Sequence, residues 1–344
     1  KRRWRSVDLT LPESLYSTFH HSAGPRQFPL LETVSLQPLL SDAQKAQADR
    51  LQLDIFSERV AFNSSSSDDS EGTTLGFPIA DPTGSNPVPR LTQLRLNGYY
   101  LDDCLLPWAQ LTSLILQHVY LDECFYALSH TPNLLACTLS TMLLDQYRPQ
   151  GKVHLHLPYL HSLKLQGASG KDQGTLLSHL TLPSLTEFSI GSHDVGEALG
   201  GGRNMVERSK CEIKVFEVTH VHLTGAAEAL EALWRDLPSI EVLRVDPERG
   251  GLGNGFLDAL TGGPLSGPGS GPEVQRKAPI LPNLRKFVYE GSTWWDEARL
   301  VGMIIARTVG AEKLGVRRLE AMKPGCWRPS GEECEALLMK LDHS

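Results

Sequence analysis

One phrase recurs nine times along this chain: a leucine (or isoleucine), two residues, an apolar residue, one residue, and a second apolar residue. It stands at Leu31-Val34-Leu36, Leu91-Leu94-Leu96, Leu111-Leu114-Leu116, Leu134-Cys137-Leu139 and Leu160-Leu163-Leu165. It continues at Leu185-Phe188-Ile190, Ile213-Phe216-Val218, Ile240-Leu243-Val245 and Leu284-Phe287-Tyr289. A proline lies two residues before seven of the nine (Pro29, Pro89, Pro132, Pro158, Pro183, Pro238 and Pro282), fixing φ at the entry from the preceding loop. The last two apolar positions of each phrase are two residues apart, so they share one face of a short strand, and the first packs beneath it. Burying three such side chains stabilises a unit by roughly 5 kcal/mol. Ordering a backbone of ~25 residues costs far more. A lone unit therefore cannot stand, and stacked neighbours must share one core.

Between Leu91 and Ile240 the phrases advance by 20, 23, 26, 25, 28 and 27 residues. That step is the period of leucine-rich repeats. Helical signals fill the gaps: Leu121–His130, a short apolar turn at Leu176-Leu177-Leu180, Ala226–Leu237 with Ala226, Ala229, Leu230, Leu233 and Leu237 on one face, and Asp296–Thr308. Strand then helix, repeated, predicts an α/β solenoid, a horseshoe with parallel strands on its concave face and irregular helices outside. The solenoid is expected over residues 28–325, with flexible insertions near 63–88 and 250–280. The first contains the acidic serine tract Asn63–Gly72, where added phosphate charge is chemically reasonable, and the second is rich in Gly and Pro. A short amphipathic segment, 326–344, is expected to cap the array.

Composition narrows the function. A net charge of −7 lacks the basic stripe that nucleic acid demands. Six scattered cysteines without a CxxC pair predict free thiols in a reducing compartment, so the sequon at Asn63 is expected to stay unused. No apolar run reaches membrane-helix length, and Lys1–Arg5 is not followed by the apolar core of a signal peptide, so a place inside the cell, cytoplasm or nucleus, is expected. The absent initiator Met suggests a trimmed or partial chain.

Chemistry finds little to hold. His154-x-His156 with His161, and His220-x-His222, place imidazoles on shared strand faces, yet no nearby Cys or carboxylate completes a ligand set at compact spacing. Gly251-x-Gly253-x-Gly255 misses the glycine spacing of a dinucleotide turn. No GxSxG, HExxH or Walker sequence is present. The expectation is no metal, no cofactor and no catalysis.

The strand positions unused by the core are a different matter. They alternate to the opposite sheet face. Read in order they are Gln93, Arg95 and Asn97; Ser113, Ile115 and Gln117; Ser162, Lys164 and Gln166; Glu187 and Ser189; Val215, Glu217 and Thr219; Val242, Arg244 and Asp246; and Lys286, Val288 and Glu290. All are expected to reach solvent. The charged and amide members (Gln93, Arg95, Asn97, Gln117, Lys164, Gln166, Glu187, Glu217, Arg244, Asp246, Lys286 and Glu290) form the candidate protein-binding ladder.

The phrases LPWAQLTSLIL (106–116), LDECFYALSHTPNLLACTLS (121–140) and LLSHLTLPSLTEFSI (176–190) make residues 28–322 resemble the leucine-rich part of fungal F-box proteins, especially those of mushroom-forming fungi. Residues 1–27 include KRRWRSVDLTLPESLYSTF, which resembles the tail of an F-box, a basic-aromatic helix end followed by a turn. Here Tyr16 stands where Trp is usual, and the first F-box helices are missing. The resemblance implies a substrate receptor of a cullin-RING ubiquitin ligase, with partial adaptor contact through Trp4, Leu11, Leu15 and Tyr16 and an unidentified protein as substrate. A repeat-type scaffold with no ubiquitin-ligase role is the alternative.

Overall fold

A computed structural model describes residues 4–11, 30–38, 88–98, 101, 106–140, 154–167, 169–223, 227–263, 278–291 and 295–323. The expected loop 63–88 lies outside these apart from Val88, as do most of 264–280, the capping segment 326–344, and Leu15 and Tyr16. The protein is α/β, and it divides into two compact units, Lys1–Leu160 and His161–Ser344.

In the first unit five strands lie parallel in chain order: β1 (Ser6–Leu11), β2 (Thr33–Pro38), β3 (Gln93–Asn97), β4 (Ser113–Gln117) and β5 (Ala136–Ser140). A 3₁₀ turn (Trp108–Gln110) precedes β4, helix α1 (Leu121–His130) precedes β5, and a two-residue strand β6 (Leu155–His156) follows. The opening segment that resembles an F-box tail contributes β1, paired from Ser6↔Thr33 to Leu11↔Pro38.

The second unit sets six strands parallel: β7 (Ser162–Gln166), β9 (Glu187–Gly191), β10 (Val215–His222), β11 (Val242–Arg249), β12 (Lys286–Tyr289) and β13 (Ala321–Lys323). The two-residue β8 (Leu180–Thr181) lies outside this order. Its helices are α2 (Gly170–Ser178), α3 (Gly196–Ser209), α4 (Ala227–Asp236), α5 (Asn254–Thr261), α6 (Glu297–Thr308) and α7 (Ala311–Leu314).

Every residue of the nine phrases is buried except Leu36, which is half-buried. Leu319 and Met322 add a tenth, shorter unit at β13 that the spacing does not reveal. The prolines have a definite job. The leading apolar amide donates to the carbonyl three residues back in Val88–Leu91, Thr131–Leu134, Leu157–Leu160, Leu182–Leu185, Leu237–Ile240 and Leu281–Leu284. Proline is the second residue of each such turn, where its fixed φ is favoured. Consecutive units are then stitched by side chains just before the leading residue. Gln110 Nε2 donates to the carbonyls of Val88 (2.7 Å) and Leu91 (2.8 Å), and Asn133 Nδ2 donates to Ala109 (2.8 Å). In the second unit Ser239 Oγ donates to Ile213 (2.9 Å) and Asn283 Nδ2 to Pro238 (3.0 Å). Such donors satisfy turn carbonyls that no strand can reach.

Helix α1 spans the residues its sequence predicts, and it starts on a carboxylate. Glu123, buried, accepts the N–H of Tyr120 (2.8 Å) and that of Leu101 (2.9 Å). Asp296 caps α6 by accepting the Arg299 N–H at 3.0 Å. Helix α3 and the one-turn α7 escape the sequence reading. Helix α3 carries Gly200-Gly201-Gly202, and α5 occupies the start of the expected flexible insertion, burying Phe256, Leu257 and Leu260. Cys124, Cys137 and Cys211 are free and buried, and burial pushes the Cys137 thiol up to about 12. Among the described residues no helix is long and apolar enough to cross a membrane.

Candidate functional site

Parallel pairing in register converts alternate strand residues into rows across each sheet, on the face opposite the core. In the first unit the middle row is Asp8, Ser35, Arg95, Ile115 and Thr138, and the row before it is Ser6, Thr33, Gln93, Ser113 and Ala136. Arg95 Nη2 donates to Gln117 Oε1 at 3.2 Å, and Asn97 Oδ1 lies 2.8 Å from His118 Nδ1. The side chains are tied to one another rather than splayed. His118 sits at φ 55°, in the left-handed turn that leaves β4.

In the second unit the middle row runs Lys164, Ser189, Glu217, Arg244, Val288 and Lys323. The row before it runs Ser162, Glu187, Val215, Val242, Lys286 and Ala321. The row after it begins Gln166, Gly191, Thr219 and Asp246. Neighbours in a row stand one strand apart, about 4.8 Å. The middle row thus sets three bases, Lys164, Arg244 and Lys323, and one acid, Glu217, along a single strip. Glu290, just past β12, meets Lys323 Nζ at 3.0 Å.

Of the twelve ladder residues, Gln93, Lys164, Glu187, Arg244, Lys286 and Glu290 are exposed, while Arg95, Asn97, Gln117, Gln166, Glu217 and Asp246 are half-buried. One expectation fails: Ser189 does not reach solvent, with only 2% of its surface exposed. The longer Lys164 and Glu217 flank it in the same row and cover so small a side chain. Thr138, Ser140 and Lys323 join the ladder without having been read from the sequence, because their strands, β5 and β13, break the polar alternation with Ala136 and Ala321. Of the adaptor residues, Trp4 is 65% exposed and Leu11 ends β1.

The histidines regroup. Spacing alone pairs His222 with His220, yet the fold pairs it with His193 and Glu248, the one group of three metal-capable side chains among the described residues. Gly251 and Gly253 lead into α5, with Gly253 in extended backbone at its N-cap and Gly255 within its first turn. No family model matches the chain, and no curated protein matches it.

Proposed function

We propose that this chain is a protein-binding module of leucine-rich-repeat type, a horseshoe solenoid whose concave, strand-lined face grips an extended segment of another protein. The observation that supports this reading best is the in-register row Lys164–Ser189–Glu217–Arg244–Val288–Lys323, a mixed-charge strip on a sheet face that the core leaves free. Such a strip, with three bases and one acid, suits a partner of complementary, mostly acidic charge, with a few contacts dominating the affinity. Acting inside the cell as the substrate-recognition part of an F-box-type ubiquitin ligase is the particular form of this role, without cofactor or catalysis. Quantitative affinity capture tests it. Changing Arg95, Lys164, Arg244 and Lys286 together to alanine is expected to deplete the captured partners by at least about tenfold, equivalent to ~1.4 kcal/mol. Changing Lys171 and Glu207, exposed on α2 and α3, is expected to leave capture unaltered. Identical capture by both variants would overturn the reading.

A second reading, a repeat-type scaffold with no ubiquitin-ligase role, draws support from β1. Ser6–Leu11 extends the sheet of the first unit, where the resemblance implies the end of an F-box helix and its turn. Titration of the purified ligase adaptor separates the two. Binding that Trp4→Ala abolishes favours the receptor, and no binding favours the scaffold.

A further inference from the structure

We propose that His193, His222 and Glu248 form a binding site for a zinc-class divalent transition ion. The three side chains come from the C-terminal ends of neighbouring strands: His193 two residues past β9, His222 closing β10, and Glu248 near the end of β11. They stand eight, nine and eight residues after the leading apolar residues Leu185, Ile213 and Ile240, so the repeat itself brings them together. The odd residue in the middle is absorbed locally. His220 adopts φ 52°, and pairing between β10 and β11 slips twice, between Thr219 and Val221 and again between Val221 and His222, which pairs with Arg249 and leaves Glu248 unpaired in the ladder. A bulge of this kind moves the following residues to the other face. Val221 drops into the core and the half-buried His222 is left beside its neighbours.

The donor atoms already converge. Glu248 Oε2 lies 2.7 Å from His193 Nδ1 and 3.8 Å from His222 Nε2, and all three donors fall within 4.8 Å of one another. A tetrahedral ion holding its ligands at ~2.1 Å sets donor atoms about 3.4 Å apart. Shifts of about an ångström in side chains this exposed would reach that geometry. The imidazole rings, 5.1 Å apart, are held near each other by the His222 N–H donating to the His193 carbonyl at 3.3 Å.

A plain surface ion pair between His193 and Glu248 accounts for the shortest distance but not for His222. Its Nε2 is shielded from water and makes no hydrogen bond, although it faces the same carboxylate. An unsatisfied buried nitrogen is costly, and a cation between it and Glu248 would satisfy it. Two imidazoles and one carboxylate favour zinc, cobalt or nickel over magnesium or calcium. Three protein ligands also leave a position open for water or a partner's side chain.

The test uses the full chain, stripped with chelator, and the metal ions alone. Calorimetric titration with Zn²⁺ is expected to show one equivalent that Glu248→Gln and His193→Gln each lose. The loss should be about 100-fold or more in affinity, beyond the roughly 10–100-fold typical of residues that merely support a ligand. Co²⁺ should give visible absorption bands in the parent chain and in His156→Gln, an exposed histidine elsewhere, but not in the two ligand variants. Because both ligand positions are exposed, the variants are expected to melt like the parent, and His222→Gln serves if either does not. No Zn²⁺ uptake by the parent chain, or uptake unchanged in all the ligand variants, overturns the site.

Discussion

The two ends of the second unit fill the space beside their strands in opposite ways. Beside β7 and β9, helices α2 and α3 meet backbone to backbone on glycines. A Cβ on Gly201 would stand 2.7 Å from Gly174 Cα, and one on Gly174 would stand 2.6 Å from the Glu197 carbonyl oxygen. Beside β11 and β12 the same space is taken by rings: Trp234 on Phe256 at 5.0 Å, Phe256 on Phe287 at 5.5 Å, and Tyr289 on Trp295 at 5.1 Å. Sheet geometry is alike at both ends, since both are parallel and in register. The repeat thus dictates the strands and leaves the thickness of the outer layer to local composition.

The aromatic end should be the more sensitive to loss of volume. Phe287 is fully buried and touches Phe256, Tyr289 and Trp295. Phe287→Ala is expected to cost about 3–5 kcal/mol, read from the urea midpoint. A cost below that of Leu165→Ala at the other end, itself about 2–5 kcal/mol, would show that the rings pack loosely and would break the contrast.

The glycine end should instead be sensitive to added volume, and its three consecutive glycines provide an internal control. Gly201→Ala drives a methyl into α2 backbone and is expected to destabilise by roughly 1–3 kcal/mol. Gly200→Ala, with nothing within 4 Å of the new carbon, should stabilise by about 0.5–1 kcal/mol because it only relieves the entropic cost of glycine in a helix. Opposite signs at adjacent positions would establish backbone packing as the reason for the glycines. Equal signs would reduce them to tolerated weak points.

This contrast also explains what the sequence could reveal. Leu111, Leu114 and Leu116 announce a strand because period two and burial coincide in five residues. The proline two before Leu134 announces a turn for an equally local reason. Helix α3 is hidden because Gly200-Gly201-Gly202 argues against a helix locally, while the contact that requires Gly201 lies 27 residues back at Gly174. Ser189 is misjudged because alternation assigns a face but says nothing of how long its neighbours are. The His193–His222–Glu248 group is invisible to short-range motif spacing, with gaps of 29 and 26 residues. It becomes visible only when positions are counted from each leading apolar residue, and then only if the bulge at His220 is allowed for.

The smallest effect is expected at the N-terminal edge of the strands. At the aromatic end this edge carries a charge network: Arg285 donates to Glu320 at 2.7 and 2.8 Å and stands 3.6 Å from Glu241, which Arg317 approaches at 3.5 Å. The equivalent positions at the glycine end are His161 and Thr186, which supply no acid–base pair of this kind. The hydrogen bond from Arg285 holds the Glu320 carboxyl below the ordinary 4.5, against an opposing effect of desolvation and with help from the charges of Arg285, Arg317 and Arg318. A carboxylate whose pKa is lower when folded stabilises the native state above the unfolded value, and that contribution is lost as pH falls through the folded value. The pair is open to solvent, so its contribution at neutral pH should be slight and should shrink further in added salt. Glu320→Gln is therefore expected to lower the urea midpoint a little at neutral pH, with the gap to the parent chain closing below pH 4.5. A gap that persists in acid would mean that Glu320 acts by packing rather than by charge. The two ends of the unit would then differ only in how they fill space, not in how their edges are held.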